Sequence, residues 1–300
     1  MRRRRRCRTK YSYILMNRTK RFDPAILFIF PGLLGFVLFF IWPFFISLGY
    51  TFVDKPVNGS FVGLRNFMEL FRNRAYLLGL KNTAIFMGIS IPANIVLSLT
   101  VAMLVNGLKK RRELFTLLFL IPLVIPSGSM VFFWTKFFEN GGYLNGLLNA
   151  AGMDGVDWLG TSAARFVIIA VFIWKNLGYN MVLFLSGLNN IPAEYYEAAH
   201  VDGAGGIRAF WHITVRCILP TLVLVIIMSV INSFRVFKEI YLITGSYPHE
   251  SIYVLQHFMN NMFKSLNYQK LTTATSALVL IVALLTQLLL RFERRVSANG

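Results

Sequence analysis

Six long apolar runs alternate with short polar segments along the chain. They cover residues 26–52, about 82–107, 114–138, 165–188, about 217–234 and 271–292. A helix needs roughly 20 apolar residues to cross the hydrocarbon of a bilayer, and each run is near or above that length. Because a helix satisfies its own backbone hydrogen bonds, it is the form that such runs adopt in lipid. The pattern predicts an all-α integral membrane protein with six transmembrane helices.

The third run contains two prolines, Pro122 and Pro126, in the segment IPLVIPSGS. Proline removes a backbone hydrogen bond from a helix and can break it. In a membrane, a break is tolerated where it faces protein or a water-filled path. The segment predicts either a broken span or a simple kink.

The composition agrees with a membrane location. Of the 300 residues, 56% are hydrophobic and 15% are charged, whereas a soluble domain has about 25% charged residues. The formal net charge of +18 could indicate a nucleic-acid partner, but the basic residues concentrate in the N-terminal tail and at the ends of apolar runs. This distribution is typical of a protein surrounded by membrane lipid and argues against nucleic acid.

The basic residues also indicate the orientation. Ten Lys and Arg residues precede residue 26, four lie at 109–112, and others follow the fourth and sixth runs. Because positive charge accumulates on the cytoplasmic side, we expect both termini and the loop at about 190–216 in the cytoplasm. We therefore predict a basic cytoplasmic tail at 1–25, a six-span domain at 26–292 and a second cytoplasmic tail at 293–300. Met16 begins another basic flank, so the sequence leaves open whether the chain starts at Met1 or Met16.

The loop between the fourth and fifth runs contains the polar sequence EYYEAAHVDGAGGI at 194–207. Pro192 suits the first turn of a helix, because its missing N–H would have no partner there. Residues 193–202 favour a helix, and Gly203 permits the left-handed residue that ends one. A second helix is predicted from Ile207 onwards. The loop is therefore predicted to form two short helices joined by a glycine turn.

Either lipid or protein could cover this loop. Phe210 and Trp211 favour a helix that lies on the lipid surface. In that position Glu194, Glu197 and Asp202 would face anionic head groups, which is unfavourable. The acidic residues favour a protein partner.

The same segment resembles the EAA signature of the permease subunits of binding-protein-dependent ABC importers. In that signature Glu-Ala-Ala is followed by three residues and Gly, and then by nine residues and Ile. The matching positions here are Glu197, Ala198, Ala199, Gly203 and Ile213. The Leu-Pro that follows in the signature is replaced by Val215-Arg216, and Pro220 keeps the later proline. Three other segments resemble the carbohydrate-type branch, the maltose and glycerol-phosphate permease relatives: residues 61–71, 141–152 and 233–245.

This resemblance implies a six-span importer subunit in the cytoplasmic membrane of a bacterium, with the loop as a coupling helix held in a cleft of an ATPase. The implied ATPase-coupling residues are Glu197, Ala198, Ala199, Asp202, Gly203 and Ile213. The implied partners are a second homologous permease, an ATPase homodimer and an extracytoplasmic substrate-binding protein. The sequence contains no G-x-x-x-x-G-K-[ST] phosphate loop, so we expect ATP and Mg on the partner ATPase and no cofactor on this chain.

Neither a metal site nor a catalytic site is expected. The four histidines of the sequence lack metal-ligand spacing, and its nucleophiles and acids show no Ser-His-acid or paired-carboxylate arrangement. We therefore predict a transport subunit rather than an enzyme.

Lys175 lies near the middle of the fourth run, where a charge is costly and rarely faces lipid. It either lines a transport path, or reaches along its helix or pairs inside the bundle. Amides and aromatic faces nearby suit the hydroxyls and rings of sugars. Since the fourth and fifth spans of relatives contribute to the substrate path, the resemblance suggests these path residues: Lys175, Tyr179, Asn180, Asn232, Ser233 and Arg235.

The predicted function is import of a sugar or oligosaccharide. The alternative is import of glycerol-phosphate or another polar solute, since Lys175 and Arg235 could bind a phosphate. An ion-coupled secondary transporter is disfavoured because it needs buried carboxylates, and the six runs contain none. A membrane-embedded enzyme is disfavoured by the missing catalytic groups. The sequence determines neither the substrate nor whether the second permease is identical to this chain.

The predicted orientation is testable by cysteine labelling in a background with Cys7 and Cys217 changed to Ser. Asn58→Cys, between the first two runs, should react with a membrane-impermeant maleimide in intact cells, because few basic residues hold that segment inside. Lys110→Cys should react only after the membrane is permeabilised. Labelling of Lys110→Cys in intact cells would reverse the orientation and remove the loop at 190–216 from the cytoplasm.

Overall fold

The computed structural model describes residues 24–108 and 110–298 of the chain. The predicted tail at 1–25 therefore falls almost wholly outside the described residues. The helices in chain order are α1 Pro24–Phe36, α2 Trp42–Tyr50, α3 Arg65–Arg72, α4 Arg74–Asn106, α5 Arg112–Val124, α6 Ser127–Phe138, α7 Tyr143–Ala150, α8 Ala164–Asn189, α9 Ala193–Val201, α10 Gly206–Ala209, α11 Val215–Cys217, α12 Leu219–Arg235, α13 Phe237–Thr244, α14 Leu255–Lys264 and α15 Tyr268–Ala298. An isolated antiparallel bridge joins Val53 to Phe61, and no strand occurs in the described residues. The all-α prediction is confirmed.

The chain divides into two compact units, residues 1–49 and residues 50–300. In the first unit, α1 continues into α2 through a π-helical turn at Val37–Ile41, and the described side chains from Phe28 to Gly49 are not buried. The second unit holds the remaining helices and all the buried clusters described below.

Five helical segments within the described residues are long and apolar enough to cross a membrane: Phe28–Tyr50, Arg74–Asn106, Ala164–Asn189, Leu219–Thr244 and Tyr268–Arg295. A sixth span results if α5 and the segment Ser127–Ala150 are counted together, although they meet at 90°. Length and composition therefore agree with the six predicted runs.

The third run is broken rather than kinked. Helix α5 ends at Val124, and Ile125 and Pro126 adopt extended ψ angles of 127° and 136° before α6 begins at Ser127. Two prolines four residues apart remove the backbone donors that would carry the helix through this point. The broken alternative of the sequence is therefore confirmed.

The predicted end of the fifth run at residue 234 is wrong. Helix α12 reaches Arg235, and α13 extends the same apolar segment to Thr244. The charged residues at 235, 238 and 239 made the apolar run seem to end. The extension matters because it brings Glu239 into the span.

Helix α8 is the centre of the second unit. Half of the residues in the apolar stretch of α8 are buried, compared with a third of those in the apolar stretch of α4. It packs along α4 and α5 and also contacts α12. At Gly178 the backbone of α8 lies against the carbonyl of Phe119 in α5, so closely that a Cβ atom would overlap it. The small residue permits this close crossing, as is common between membrane helices.

The N-terminal end of α8 is tied to the segment between α13 and α14. The amide of Asn82 in α4 donates to the carbonyls of Glu250 and Tyr253 at 2.6 and 3.0 Å. The guanidinium of Arg165 in α8 donates to the Asn82 side chain at 3.3 Å. This end of the bundle is opposite the end at which α8 leads into the loop at 190–216.

Gly178→Ala should destabilise the folded protein, because the added methyl group has no space against the Phe119 backbone. Overpacking of this kind costs about 1–3 kcal/mol. The matched control is Gly88→Ala in α4, where an added Cβ meets nothing within 4 Å. Fluorescence-detected thermal unfolding in detergent should show a lower midpoint for Gly178→Ala only. Equal midpoints for the two variants would contradict the close crossing.

Candidate functional site

The loop after α8 forms the two helices that the sequence predicts. Helix α9 begins at Ala193, after Pro192, and ends at Val201. Gly203 follows with a φ of +73°. The amide of Ala204 then donates to the carbonyl of Ala199 at 2.9 Å, which closes the helix end. The second helix runs from α10 through a π-helical turn at Phe210–Thr214 into α11.

The sequence-predicted coupling residues lie in two different environments. Glu197, Ala198, Asp202 and Gly203 are exposed. Ala199 and Ile213 are half-buried, and Ile213 packs against the cluster formed by α4, α8 and α12. The first four can contact a partner directly, whereas Ile213 attaches the loop to the bundle.

The loop that carries the acidic residues also exposes large apolar side chains. Val201 is 87% exposed, Ile207 81% and Trp211 60%. Such a mixture of apolar and acidic groups matches the surface of a protein interface better than that of a helix on anionic lipid.

A hydrogen bond that the sequence did not indicate fixes α9 to the rest of the loop. The hydroxyl of Tyr196 lies 2.8 Å from Oγ1 of Thr214, and Thr214 is buried. Tyr196 also packs against the same apolar cluster as Ile213. The exposed face of α9 is therefore backed by a buried contact to the residues that lead into α12.

A second candidate site is a cavity of about 230 Å³ at the broken third span. Its lining comes from α5, α8, α12 and α13. The residues are Leu123, Val171, Phe172, Lys175, Asn176, Asn232, Arg235, Val236 and Glu239. Three of the six sequence-predicted path residues thus meet here: Lys175, Asn232 and Arg235.

The other three predicted path residues do not line this cavity. The Asn180 amide donates to Ser229 at 3.0 Å inside the bundle. The Ser233 hydroxyl donates to the carbonyl of Val230 at 2.6 Å, within its own helix. Tyr179 is half-buried outside the cavity lining. The structure therefore brings together the two charged residues of the predicted path and Asn232, and separates them from these three.

Lys175 lines the cavity and is also paired. Its ammonium forms an ion pair with the carboxylate of Glu239, and Ser127 Oγ donates to the same carboxylate oxygen at 3.3 Å. Glu239 is 3% exposed. Lys175 thus pairs inside the bundle, as one alternative predicts, and it also borders the cavity; that the cavity lies on a transport path stays a prediction.

The position of Glu239 contradicts the expectation that the spans contain no buried carboxylate. The six predicted runs contained no buried acid, but the fifth span extends to Thr244 and buries Glu239. Sequence reasoning missed it because a charged stretch after residue 234 resembles the end of a span. One signal was available in the sequence. A Lys in the middle of the fourth span favours an acidic partner, and Glu239 follows the predicted end of the fifth span by a few residues.

Other chemistry is limited in the described residues. Within 24–108 and 110–298, no group of three or more His, Cys, Asp and Glu side chains could hold a metal ion. His257, in α14 outside the spans, is buried, and burial lowers its pKa to about 4. It is therefore neutral near pH 7. The expectation that the chain binds no cofactor stays a prediction.

Comparison with protein families adds a match over most of the bundle. A family model described as "binding-protein-dependent transport system inner membrane component" matches residues 94–298. The match includes the loop at 190–216 and the cavity.

Individual relatives agree with this match. The chain is 34% identical over 231 residues to the trehalose/maltose transport system permease protein MalF of Thermococcus litoralis, covering 74% of this chain and 77% of the relative. It is 28% identical over 277 residues to the sn-glycerol-3-phosphate transport system permease protein UgpA of Yersinia pestis, covering 90% and 93%.

A solved structure shares the fold. A chain of a bacterial alginate ABC transporter, crystallised with an alginate pentasaccharide-bound periplasmic protein, superposes with a TM-score of 0.79. The alignment covers 91% of this chain and 94% of that chain at 21% identity.

Proposed function

Because the chain belongs to the family of binding-protein-dependent transport system inner membrane components, we propose that it moves a sugar or oligosaccharide through the membrane as part of an ATP-driven importer. The chain is an ABC transporter permease of the inner membrane. The relative named for trehalose and maltose and the fold shared with an alginate transporter support a carbohydrate substrate. The cavity supports it as well, because its amides can hydrogen-bond hydroxyl groups and its charged side chains can orient them.

The observation that carries the proposal is the exposed loop with its buried attachment. Glu197 and Gly203 are exposed on α9 and its glycine turn, while Tyr196 and Ile213 attach the loop to the bundle. A motion imposed on α9 is therefore passed to α12 instead of being absorbed by a flexible segment. Such a contiguous contact is what energy coupling between two proteins requires.

The proposed mechanism is a two-state cycle. An ATPase homodimer closes on ATP and Mg, moves the loop at 190–216 and turns the spans outward. An extracytoplasmic binding protein delivers the solute, and hydrolysis returns the path inward. A second homologous permease supplies the other wall of the path. The catalytic groups for hydrolysis lie on the ATPase, so this chain contributes no enzyme activity and no cofactor site.

Glycerol-phosphate import is a second candidate function. The relative UgpA is named for sn-glycerol-3-phosphate, and Arg235 in the cavity offers a cation for a phosphate group. An ion-coupled transporter is set aside on the family match rather than on the absence of acids, since Glu239 is buried in the fifth span.

Reconstitution tests the proposal directly. The permease complex, purified with its ATPase and placed in proteoliposomes with the binding protein, should take up a labelled sugar only when ATP is supplied on the cytoplasmic side. Maltose, a uronic acid oligosaccharide and glycerol 3-phosphate form the panel of solutes. Uptake that follows an ion gradient without ATP, or a complex without an ATPase, would contradict the importer assignment. Uptake of glycerol 3-phosphate alone would select the second candidate.

Two changes in the loop should uncouple ATP hydrolysis from uptake. Gly203→Asp strains a left-handed residue by about 1–2 kcal/mol and should displace the exposed end of α9. Glu197→Lys reverses an exposed charge on the same helix. Each should lower uptake by about tenfold or more, the change that about 1.4 kcal/mol of lost coupling gives, without altering membrane insertion.

The matched control is Gly205→Asp. Gly203 and Gly205 are both open to solvent, with nothing within 4 Å of an added Cβ, but Gly205 has an ordinary φ of −69°. This variant should keep ATPase binding and uptake. If Gly203→Asp and Glu197→Lys also keep both, the loop is not the coupling element, even if uptake itself is ATP-driven.

A further inference from the structure

Three helical segments meet at one buried carboxylate. Glu239 lies in α13, its ion-pair partner Lys175 lies in α8, and its hydrogen-bond donor Ser127 is the first residue of α6. The Ser127 hydroxyl also lies 3.5 Å from the Lys175 ammonium. The carboxylate of Glu239 thus lies at the wall of the cavity, in contact with both Lys175 and Ser127.

Glu239 could have paired with a different cation. Arg235 precedes it by four residues, a spacing at which opposite charges on one helix attract each other. The helix is interrupted at Val236, between α12 and α13, and the carboxylate contacts Lys175 on the facing helix instead. Arg235 is exposed and lines the same cavity. Among the described residues, no ion pair or hydrogen bond involves its guanidinium.

The charges of the cavity wall follow from this choice of partner. Lys175 and Arg235 are cations, and Glu239 is the acid that lines the same wall. Because Glu239 is in direct contact with Lys175, the two charges largely cancel at the distance of a solute. The field in the cavity is then that of Arg235. An unpaired Arg facing lipid would be costly, which places it toward an aqueous path.

We propose that Glu239 is a specificity-determining residue of the transport path. It cancels the charge of Lys175, so that this wall presents one cation, Arg235, to the solute. The wall therefore selects a sugar that carries one anionic group, a carboxylate or a phosphate, over a neutral sugar. This inference rests on the proposed function, since it assigns a substrate class to the same path.

The first part of the proposal, the electrostatic potential at the cavity wall, is testable without a transport assay. Asn232 is a neutral, half-buried residue of the cavity wall. Asn232→Cys is made in a chain with Cys7 and Cys217 changed to Ser, and the purified complex is labelled with an anionic and a cationic methanethiosulfonate of similar size. The ratio of the anionic to the cationic labelling rate reports the sign and strength of the local potential.

The variants should change this ratio in a defined pattern. Glu239→Gln exposes the Lys175 charge and should raise the ratio about tenfold, because clefts of one sign concentrate opposite ions to at least that extent. Arg235→Gln should lower it by a similar factor, and Lys175→Met should lower it as well. The double variant Lys175→Met with Glu239→Gln should return it to the starting value.

Controls separate charge from damage to the fold. The exchange Lys175→Glu with Glu239→Lys keeps the pair and should leave the ratio unchanged. Glu139→Gln removes an acid from an exposed pair with Lys136, outside this cavity, and should also leave it unchanged. If Glu239→Gln does not assemble, Arg235→Gln and Lys175→Met still decide the question. An unchanged ratio in assembled Arg235→Gln overturns the proposal.

Protection experiments test the solute class. Glucuronate and glucose 1-phosphate should slow labelling of Asn232→Cys at lower concentrations than glucose does, and Arg235→Gln should abolish the difference. Of these two anions, the one that protects at the lower concentration shows whether the solute carries a carboxylate or a phosphate. Equal protection by glucose, or no protection by any of the three, overturns the selection for an anionic sugar. Labelling is measured without ATP or uptake, so these failures are distinct from a failure of the importer assignment.

Discussion

A bilayer offers no hydrogen bonds to an exposed peptide group, and this constraint governs where the chain of this permease can leave the helical form. Within the part of the chain that the structure describes, one sharp break in a candidate span occurs, at Ile125 and Pro126 between α5 and α6. Polar groups from other helices lie beside the break, because Lys175 and Glu239 meet at the hydroxyl of Ser127, where α6 begins. The polar cavity lies at the same place. The break in the helix and the charged side chains thus lie at one site.

Helix α8 connects this site to the loop at 190–216. It carries Lys175 at the cavity, Gly178 at the close crossing with α5, and the residues that lead into α9. Close packing at Gly178 leaves little freedom for α8 to move relative to α5, so a displacement at one end of α8 is carried toward the other. Tyr196 and Ile213 provide a second route, from α9 to α12 and Arg235. Both routes end at the cavity.

The loop and the cavity differ in how their residues are held. At the loop, the exposed residues Glu197 and Gly203 are available to a partner, and the backing contact is a single neutral hydrogen bond between Tyr196 and Thr214. At the cavity, the contact is an ion pair with a buried carboxylate, and burial strengthens electrostatic interactions. The coupling role proposed for the loop suits the first arrangement, and the solute selection proposed for the cavity wall suits the second.

The sequence by itself determined the elements whose signals are local. The apolar runs, and the helix, glycine turn and helix around Gly203, follow from periodicity and backbone preferences of neighbouring residues, whereas the prolines of the third run left a break and a kink both open. The EAA spacing also identified the family, because that pattern lies within a short segment. Only the tertiary structure decided which distant side chains meet. Glu239 pairs with Lys175 across 64 residues of sequence, Tyr196 contacts Thr214 across the loop, and Asn180 bonds to Ser229 on a different helix. The physical reason is that burial and pairing depend on helix packing, which one-dimensional patterns do not specify.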